Sequence, residues 1–138
     1  MKEVNVIYWS STGNTQAMAE AVGAGVEEAG GKANVIEVSA ADVSMLKDAD
    51  SFALGASAMG DEELDAEMDD FVTAVEEICS GKTVGLFGSY DWGDGEWMRK
   101  WEERMKEAGA EVVGTVIANN EPGDEDQANL AELAKKLV

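Results

Sequence analysis

Five short apolar runs alternate along the chain with segments whose apolar residues recur at helical spacing. The runs cover residues 4–9, 33–38, 52–56, 83–88 and 112–118, and they predict β-strands. Helical patterns follow the first, third, fourth and fifth runs, and a short helical turn is expected at 42–47 after the second. This alternation is typical of βα units, in which helices connect parallel strands across the faces of a sheet.

Each predicted helix carries one apolar face, and three of the helices end at glycines. The first is expected over residues 14–29, and the second and third are expected to end at Gly81 and Gly109. The apolar faces are assigned to Met18, Ala21, Val22, Gly25, Val26 and Ala29, then Met68, Phe71, Val72, Val75, Ile78 and Cys79, then Trp97, Trp101, Met105 and Ala108, and finally Leu130, Leu133, Ala134 and Leu137.

The first, third, fourth and fifth runs are apolar at almost every position, as expected of parallel strands covered by helices on both faces. Five βα units without a long linker or an internal repeat predict one doubly wound α/β domain over residues 1–138. The strand order 2-1-3-4-5 is adopted from a common doubly wound topology that suits this length. Ligands of such sheets bind beyond the carboxyl ends of the strands, which here are followed by SSTGNT, SAMGDEE, SYDWGDGEW and NNEPGDEDQ.

Composition excludes several classes of function. The chain has no histidine and one cysteine, Cys79, so catalysis by Ser-His or Cys-His pairs and an internal disulfide are both excluded. With 29 acidic and 10 basic residues, the net charge of −19 makes nucleic acid and anionic membranes implausible partners. A basic protein partner is plausible, although solubility alone explains such a charge and is the favoured explanation when charge is taken by itself. Without a signal-peptide pattern or a membrane-spanning apolar run, a cytoplasmic protein is expected.

The segment SSTGNT, residues 10–15, lies between the first strand and the first helix. Its backbone N–H groups converge at a helix N-terminus, where an anion is favoured, and Gly13 permits the tight turn. Ser10, Thr12, Asn14 and Thr15 add uncharged side-chain donors. A plain helix N-cap is the alternative, but one hydroxyl suffices for capping, so the density of polar residues favours a single phosphate.

The other loops give weaker signals. Trp92 either stacks on a planar ring or covers an exposed edge of the core, and Met59 followed by Gly60 is most often only a turn. Ser57 in GAS does not lie in the sequence context of a nucleophile elbow, and Lys82 in GKT does not lie in that of a P-loop. Structural roles are therefore favoured for both residues.

Taken together, YWSSTGNT, SAMGDEE, LFGSYDWGDGEWM and NEP resemble the corresponding loops of short-chain flavodoxins, especially those of anaerobic bacteria, in order and spacing over the whole chain. The resemblance implies a flavodoxin-like fold, non-covalent FMN, and a monomer that carries single electrons between redox proteins. It also implies cycling between semiquinone and hydroquinone at low potential. An FMN-dependent reductase is the alternative. A phosphoacceptor receiver is unlikely because the first strand ends in Tyr8-Trp9-Ser10, without the acidic cluster of that class.

The resemblance also implies roles for individual residues. The FMN phosphate would be held by Ser10, Ser11, Thr12, Gly13, Asn14 and Thr15, with Ser57 nearby. Met59 would lie on the inner ring face and Trp92 on the outer, Gly60 would be the redox-dependent peptide, and Glu62 would bond the pyrimidine side. Backbone groups of Ser89, Tyr90 and Gly93 would line the ring, Asn119 or Asn120 would meet the ribityl chain, and Ala58, Asp61 and Asp91 complete the set. Asp91 and Ser11 replace glycines that are frequent in relatives.

Acidic residues follow three of the strands and would surround the flavin. They would disfavour the anionic, fully reduced cofactor and would dock a basic partner. These residues are Asp61, Glu62, Glu63, Asp65, Glu67, Asp69, Asp70, Asp91, Asp94, Glu96, Glu121, Asp124, Glu125 and Asp126.

Overall fold

A computed structural model describes residues 2–10, 13–58, 64–90 and 95–138. The strands are β1 (Glu3–Trp9), β2 (Lys32–Glu37), β3 (Ser51–Ala56), β4 (Thr83–Tyr90) and β5 (Glu111–Asn119). The helices are α1 (Asn14–Glu28), α2 (Ala66–Val75), α3 (Glu96–Glu107) and α4 (Asp124–Leu137). All neighbouring strands are parallel in the order β2-β1-β3-β4-β5, so the predicted doubly wound α/β sheet and its strand order are confirmed.

Two helical layers cover the sheet. Helices α1 and α4 pack on one face, against a buried cluster that includes Val4, Val6 and Phe87. Helices α2 and α3 pack on the other face, against a cluster that includes Ile7 and Phe52. Alternation along β1 therefore sends consecutive side chains into different cores, as expected for a strand covered on both sides. No helix within the described ranges is long and apolar enough to cross a membrane.

One local prediction about the elements is confirmed and another is wrong. Two 3-10 turns, Val38–Ala40 and Val43–Leu46, connect β2 to β3, so the short helical turn expected at 42–47 is present. Helix α2 ends at Val75, where i to i−3 hydrogen bonds tighten the chain, so Ile78 and Cys79 lie in the following turn. Cys79 is nevertheless fully buried, because the turn folds back onto the core.

Strand β5 is more exposed than its apolar sequence predicts. It pairs only with β4, which makes it an edge strand, and Thr115 in its middle is exposed. The expectation of a strand buried on both faces was therefore wrong for β5, because covering an edge strand fully needs a neighbour that is absent from the described sheet. Strand β3 lies in the centre and is buried at all six positions.

Arg104 ties α3 to α2 on the surface of the second layer. Its Nε lies 2.9 Å from Glu76 Oε1 and its Nη2 lies 2.8 Å from Thr73 Oγ1, while Nη1 contacts the Asp69 carboxylate. Burial lowers the pKa of the guanidinium, but the hydrogen bonds and charges of Glu76 and Asp69 outweigh this effect and raise the pKa overall. The cluster thus links the two helices that follow β3 and β4.

Candidate functional site

The candidate site lies at the carboxyl edge of the sheet, between β1 and β3. From β1 the chain enters α1 on one face, whereas from β3 it continues toward α2 on the opposite face. The connections therefore diverge and leave a crevice at this edge, which is where doubly wound sheets bind ligands. The segments after β4 and β5 end at the same edge.

The first wall of the crevice is the start of α1. Gly13 is the N-cap residue and adopts a left-handed conformation with φ of 95°, and its N–H donates to Ser10 Oγ at 2.9 Å. The capping alternative required a side-chain acceptor at the cap, and glycine has none. The first four N–H groups of a helix have no intrahelical partner, so this end of α1 favours an anion.

Three buried hydroxyl groups form the floor beside the helix start. Thr15 is fully buried in the first turn of α1, and its Oγ1 lies 2.8 Å from Ser57 Oγ and 2.7 Å from Ser89 Oγ. The two serine oxygens are 3.3 Å apart. We call Thr15, Ser57 and Ser89 the hydroxyl triad. It joins the first turn of α1 to the carboxyl ends of β3 and β4 without any formal charge.

Ser89 and Tyr90 belong to β4 and do not lie in the loop to which the sequence assigned them. Strand β4 extends to Tyr90 because it pairs with β5 as far as Asn119. The Ser89 carbonyl accepts from Ala58 N–H at 2.9 Å, and the Tyr90 carbonyl accepts from Asn120 N–H at 2.7 Å. The side chain of Ser89, rather than only its backbone, is thereby directed into the hydroxyl triad. A serine at the end of an otherwise apolar strand was the sequence signal for this role.

Asn119 and Asn120 are both exposed at the end of β5. Asn120 has a positive φ of 60°, and its Nδ2 donates to Asn119 Oδ1 at 3.3 Å. Asn120 is the one non-glycine residue with positive φ among the described residues. Both side chains lie at the carboxyl edge of the sheet, beside the end of β4.

Several predicted site residues lie outside the described residues. These are Ser11, Thr12, Met59, Gly60, Asp61, Glu62, Asp91, Trp92 and Gly93, together with the acidic residues Glu63 and Asp94. Their assignments, including both predicted ring contacts and the redox-dependent peptide at Gly60, stay predictions. The structure brings together Ser10, Gly13, Asn14, Thr15, Ser57, Ala58, Ser89, Tyr90, Asn119 and Asn120 at one edge of the sheet.

Lys82 lies at the amino edge of the sheet, opposite the candidate site. It has a structural role, as expected. Its Nζ donates to the carbonyl oxygens of Lys47 and Ala49 at 2.8 and 2.7 Å. These bonds anchor the connection that leads into β3, before the strand begins.

Charge is distributed unevenly between the two edges of the sheet. Helices α2, α3 and α4 begin at the carboxyl edge, and each carries acidic residues in its first turn. Four of the expected acids are engaged locally: Asp65 caps α2, Asp69 contacts Arg104, Asp126 accepts from Gly123 N–H, and Glu96 pairs with Lys100. We call the exposed members of the expected acids the acidic edge: Glu67, Asp70, Glu96, Glu121, Asp124 and Glu125.

Most basic residues lie at the other edge. Apart from Arg99 and Lys100, every lysine or arginine lies before a strand, at its first residue, or in or just after the last turn of a helix: Lys2, Lys32, Lys47, Lys82, Arg104, Lys106, Lys135 and Lys136. Because the helices run antiparallel to the strands, all these positions lie at the amino edge of the sheet. The candidate site is therefore on the more negative side of the molecule.

Comparison with known proteins agrees with this architecture and with the order of the loops. The family model described as flavodoxin matches residues 6–134. The chain is 46% identical over 137 residues to a flavodoxin of Clostridium beijerinckii, covering 98% of this chain and 99% of that protein. It is 42% identical over 135 residues to a flavodoxin of Megasphaera elsdenii, covering 96% and 98%. The solution structure of the two-electron reduced Megasphaera elsdenii flavodoxin superimposes with a TM-score of 0.90 over 96% of this chain and 98% of that chain. The chain belongs to the flavodoxin family of FMN-binding electron carriers.

Proposed function

We propose that residues 1–138 form one FMN-binding domain that carries single electrons at low potential between redox enzymes of the cytoplasm. The observation that carries the proposal is the uncharged hydroxyl triad beside the N-terminus of α1, at the point where the winding of the sheet reverses. Flavodoxins are electron-transfer proteins rather than enzymes, so the alternative of an FMN-dependent reductase is not carried forward.

The described residues suit a phosphate monoester. Ser10, Asn14, Thr15 and Ser57 offer neutral side-chain groups around a helix start whose cap residue, Gly13, has no side chain. Backbone N–H groups and the helix dipole stabilise an anion there without a lysine or an arginine. A neutral cradle holds the phosphate without adding positive charge to the surroundings of the flavin.

FMN, when bound, supplies the one-electron chemistry, and the residues of the chain bind it and surround it with charge. We assign the phosphate to Ser10, Ser11, Thr12, Gly13, Asn14, Thr15 and Ser57. We assign the ring and the ribityl chain to Ala58, Met59, Gly60, Asp61, Glu62, Ser89, Tyr90, Asp91, Trp92, Gly93, Asn119 and Asn120. The acidic edge disfavours additional negative charge on the cofactor and so separates its two one-electron steps.

Reconstitution tests the cofactor and the redox role together. The purified apoprotein is titrated with FMN, followed by the visible spectrum, and the complex is then titrated potentiometrically. We expect tight one-to-one binding and two resolved one-electron steps. An apoprotein that takes up no FMN, or a complex that is reduced in a single two-electron step, would refute the proposal.

We propose that the partners are redox proteins with basic docking surfaces. We also propose that the protein binds them as a monomer. The acidic edge is exposed, lies beside the cofactor site, and faces away from the basic amino edge of the sheet. Such an asymmetry orients an approaching basic surface toward the carboxyl edge and increases the association rate.

Electron-transfer rates with a basic c-type cytochrome measure this orientation. We expect the second-order rate constant to fall with ionic strength, and to fall further in Glu67→Lys and Glu125→Lys. Glu111→Lys is the matched control, because Glu111 is equally exposed but begins β5 at the amino edge. Equal effects of the three substitutions would show that net charge alone acts, and the docking proposal would then be abandoned.

A further inference from the structure

Ser89 has a polar side chain where a strand in the centre of the protein would otherwise be apolar. It is 4% exposed, lies one residue from the end of β4, and has β5 beside it through the pair Ser89 and Ala118. Its carbonyl is engaged by Ala58 N–H, which fixes the backbone. Its hydroxyl is therefore held in place by two neighbouring elements and points into the hydroxyl triad.

Counting protons shows what the hydroxyl triad does with and without an anion. Each hydroxyl donates one hydrogen and accepts up to two. The three oxygens lie 2.7, 2.8 and 3.3 Å apart, so each proton can serve another member of the triad. An anion that accepts from both Thr15 and Ser57 takes two of these three protons. The Ser89 proton is then the one left to serve the other two oxygens.

The distances decide where that remaining proton goes. Ser89 Oγ lies 2.7 Å from Thr15 Oγ1 but 3.3 Å from Ser57 Oγ, so Thr15 is the better acceptor. A hydroxyl that accepts a hydrogen bond is polarised and becomes a stronger donor. A hydrogen bond donated by Ser89 to Thr15 therefore strengthens the hydrogen bond that Thr15 donates to an anion.

We propose that Ser89 is a positioning residue for phosphate binding: its hydroxyl donates to Thr15 Oγ1 and so directs the Thr15 proton toward the phosphate of FMN. The inference rests on the proposed function and adds a residue whose side chain acts through another residue. With an anion bound, the Thr15 proton serves the anion and the Ser89 proton serves Thr15.

The affinities of the apoprotein for FMN and for riboflavin, which lacks the phosphate, test this role. In Ser89→Ala we expect the dissociation constant for FMN to rise about tenfold, and that for riboflavin to change by less than about twofold. Ser51→Ala is the matched control, because Ser51 is also a buried serine of a central strand, but its hydroxyl donates to the Leu137 carbonyl at the amino edge. Equal losses for the two ligands, or a loss for FMN no larger than in Ser51→Ala, would overturn the proposal.

The stabilisation of the apoprotein by inorganic phosphate gives a readout that needs no flavin. A ligand that binds the folded state raises the unfolding temperature, and we expect this shift to shrink in Ser89→Ala but not in Ser51→Ala. An unchanged shift contradicts the proposal. If Ser89→Ala does not fold, Ser89→Cys replaces it: its weak S–H donor should give an intermediate loss for FMN and none for riboflavin.

A double mutant separates action through Thr15 from a direct contact. Because Ser89 acts through Thr15, adding Ser89→Ala to Thr15→Ala should weaken FMN binding by less than about twofold further. Additive losses would show that Ser89 meets the ligand independently, which overturns the positioning role. A wild-type protein that binds neither FMN nor inorganic phosphate would instead refute the proposed function.

Discussion

Among the basic residues of α3 that form ion pairs, Arg104 should contribute most to stability. Replacing it by an uncharged residue should therefore destabilise the protein most. Arg104 contacts Asp69 and Thr73 of α2 and Glu76 directly after it, and its side chain is 28% exposed. Lys100, one turn earlier on the same helix, contacts only Glu96 at 3.4 Å, and the two side chains are 71% and 54% exposed. Arg104→Met and Lys100→Met therefore form a matched pair, since the three residue types have similar helix propensities.

The burial of the partners sets the size of the difference. Exposed ion pairs contribute about 0.2–1 kcal/mol each, so Lys100→Met should cost at most about 0.5 kcal/mol. Arg104 makes two partly buried ion pairs and one bond to a hydroxyl, and its loss leaves two carboxylates of α2 without their cation; we expect about 2 kcal/mol. For a chain of 138 residues, an unfolding entropy of about 2.1 cal/mol/K per residue converts this into a decrease of about 7 °C in Tm.

Thermal and urea unfolding of the two variants measure the difference. At about 1 M salt, where the screening length falls to about 3 Å, the effect of Lys100→Met should disappear, whereas most of the Arg104→Met effect should persist. The Arg104 cluster is refuted as a link between α2 and α3 if both variants lose the same stability, or if salt removes both effects equally.

Three further results are expected. Gly88→Ala should cost at least about 3 kcal/mol in urea unfolding, because its Cβ would lie within 2.1 Å of the carbonyl oxygen at the end of β3 and 2.2 Å of the Trp97 ring; a variant as stable as the wild type would contradict this packing. Burial raises the pKa of the Cys79 thiol, so iodoacetamide should label it slowly in the native protein, even above pH 8, and rapidly in denaturant; equal rates would contradict its burial. The stability that the buried, neutral Cys79 thiol contributes is complete below the pKa of the thiol in the unfolded state. It is lost as the pH rises through the higher pKa of the thiol in the folded state. Glu67→Gln with Asp70→Asn should raise the lower one-electron potential of the FMN complex, by on the order of 10 mV per charge at low salt; an unchanged potential on potentiometric titration would refute the electrostatic role of the acidic edge.

Much of the fold was predictable because the signals are local. Short apolar runs and helical patterns of period 3.6 depend only on neighbouring residues, and Gly109 adopts the positive φ expected just after the end of α3. Element ends were less predictable. Helix α2 stops at Val75 although Cys79 continues its apolar face, and β4 runs on to Tyr90 because β5 pairs with it. The spacing of apolar residues within one segment does not show how far a neighbouring strand pairs with it. It also does not show where the chain turns back onto the core.

The sequence alone determined the class of the fold, the four loops at its carboxyl edge, and the polar, uncharged character of the segment after β1. These follow from residue types and their spacing. Only the tertiary structure decided that Thr15 meets Ser57 and Ser89, which are 42 and 74 positions away in the chain. It also decided that Asp65, Asp69 and Asp126 are engaged locally while the acidic edge stays exposed. The physical reason is that such contacts depend on strand order and register, which bring the ends of β3 and β4 to the first turn of α1.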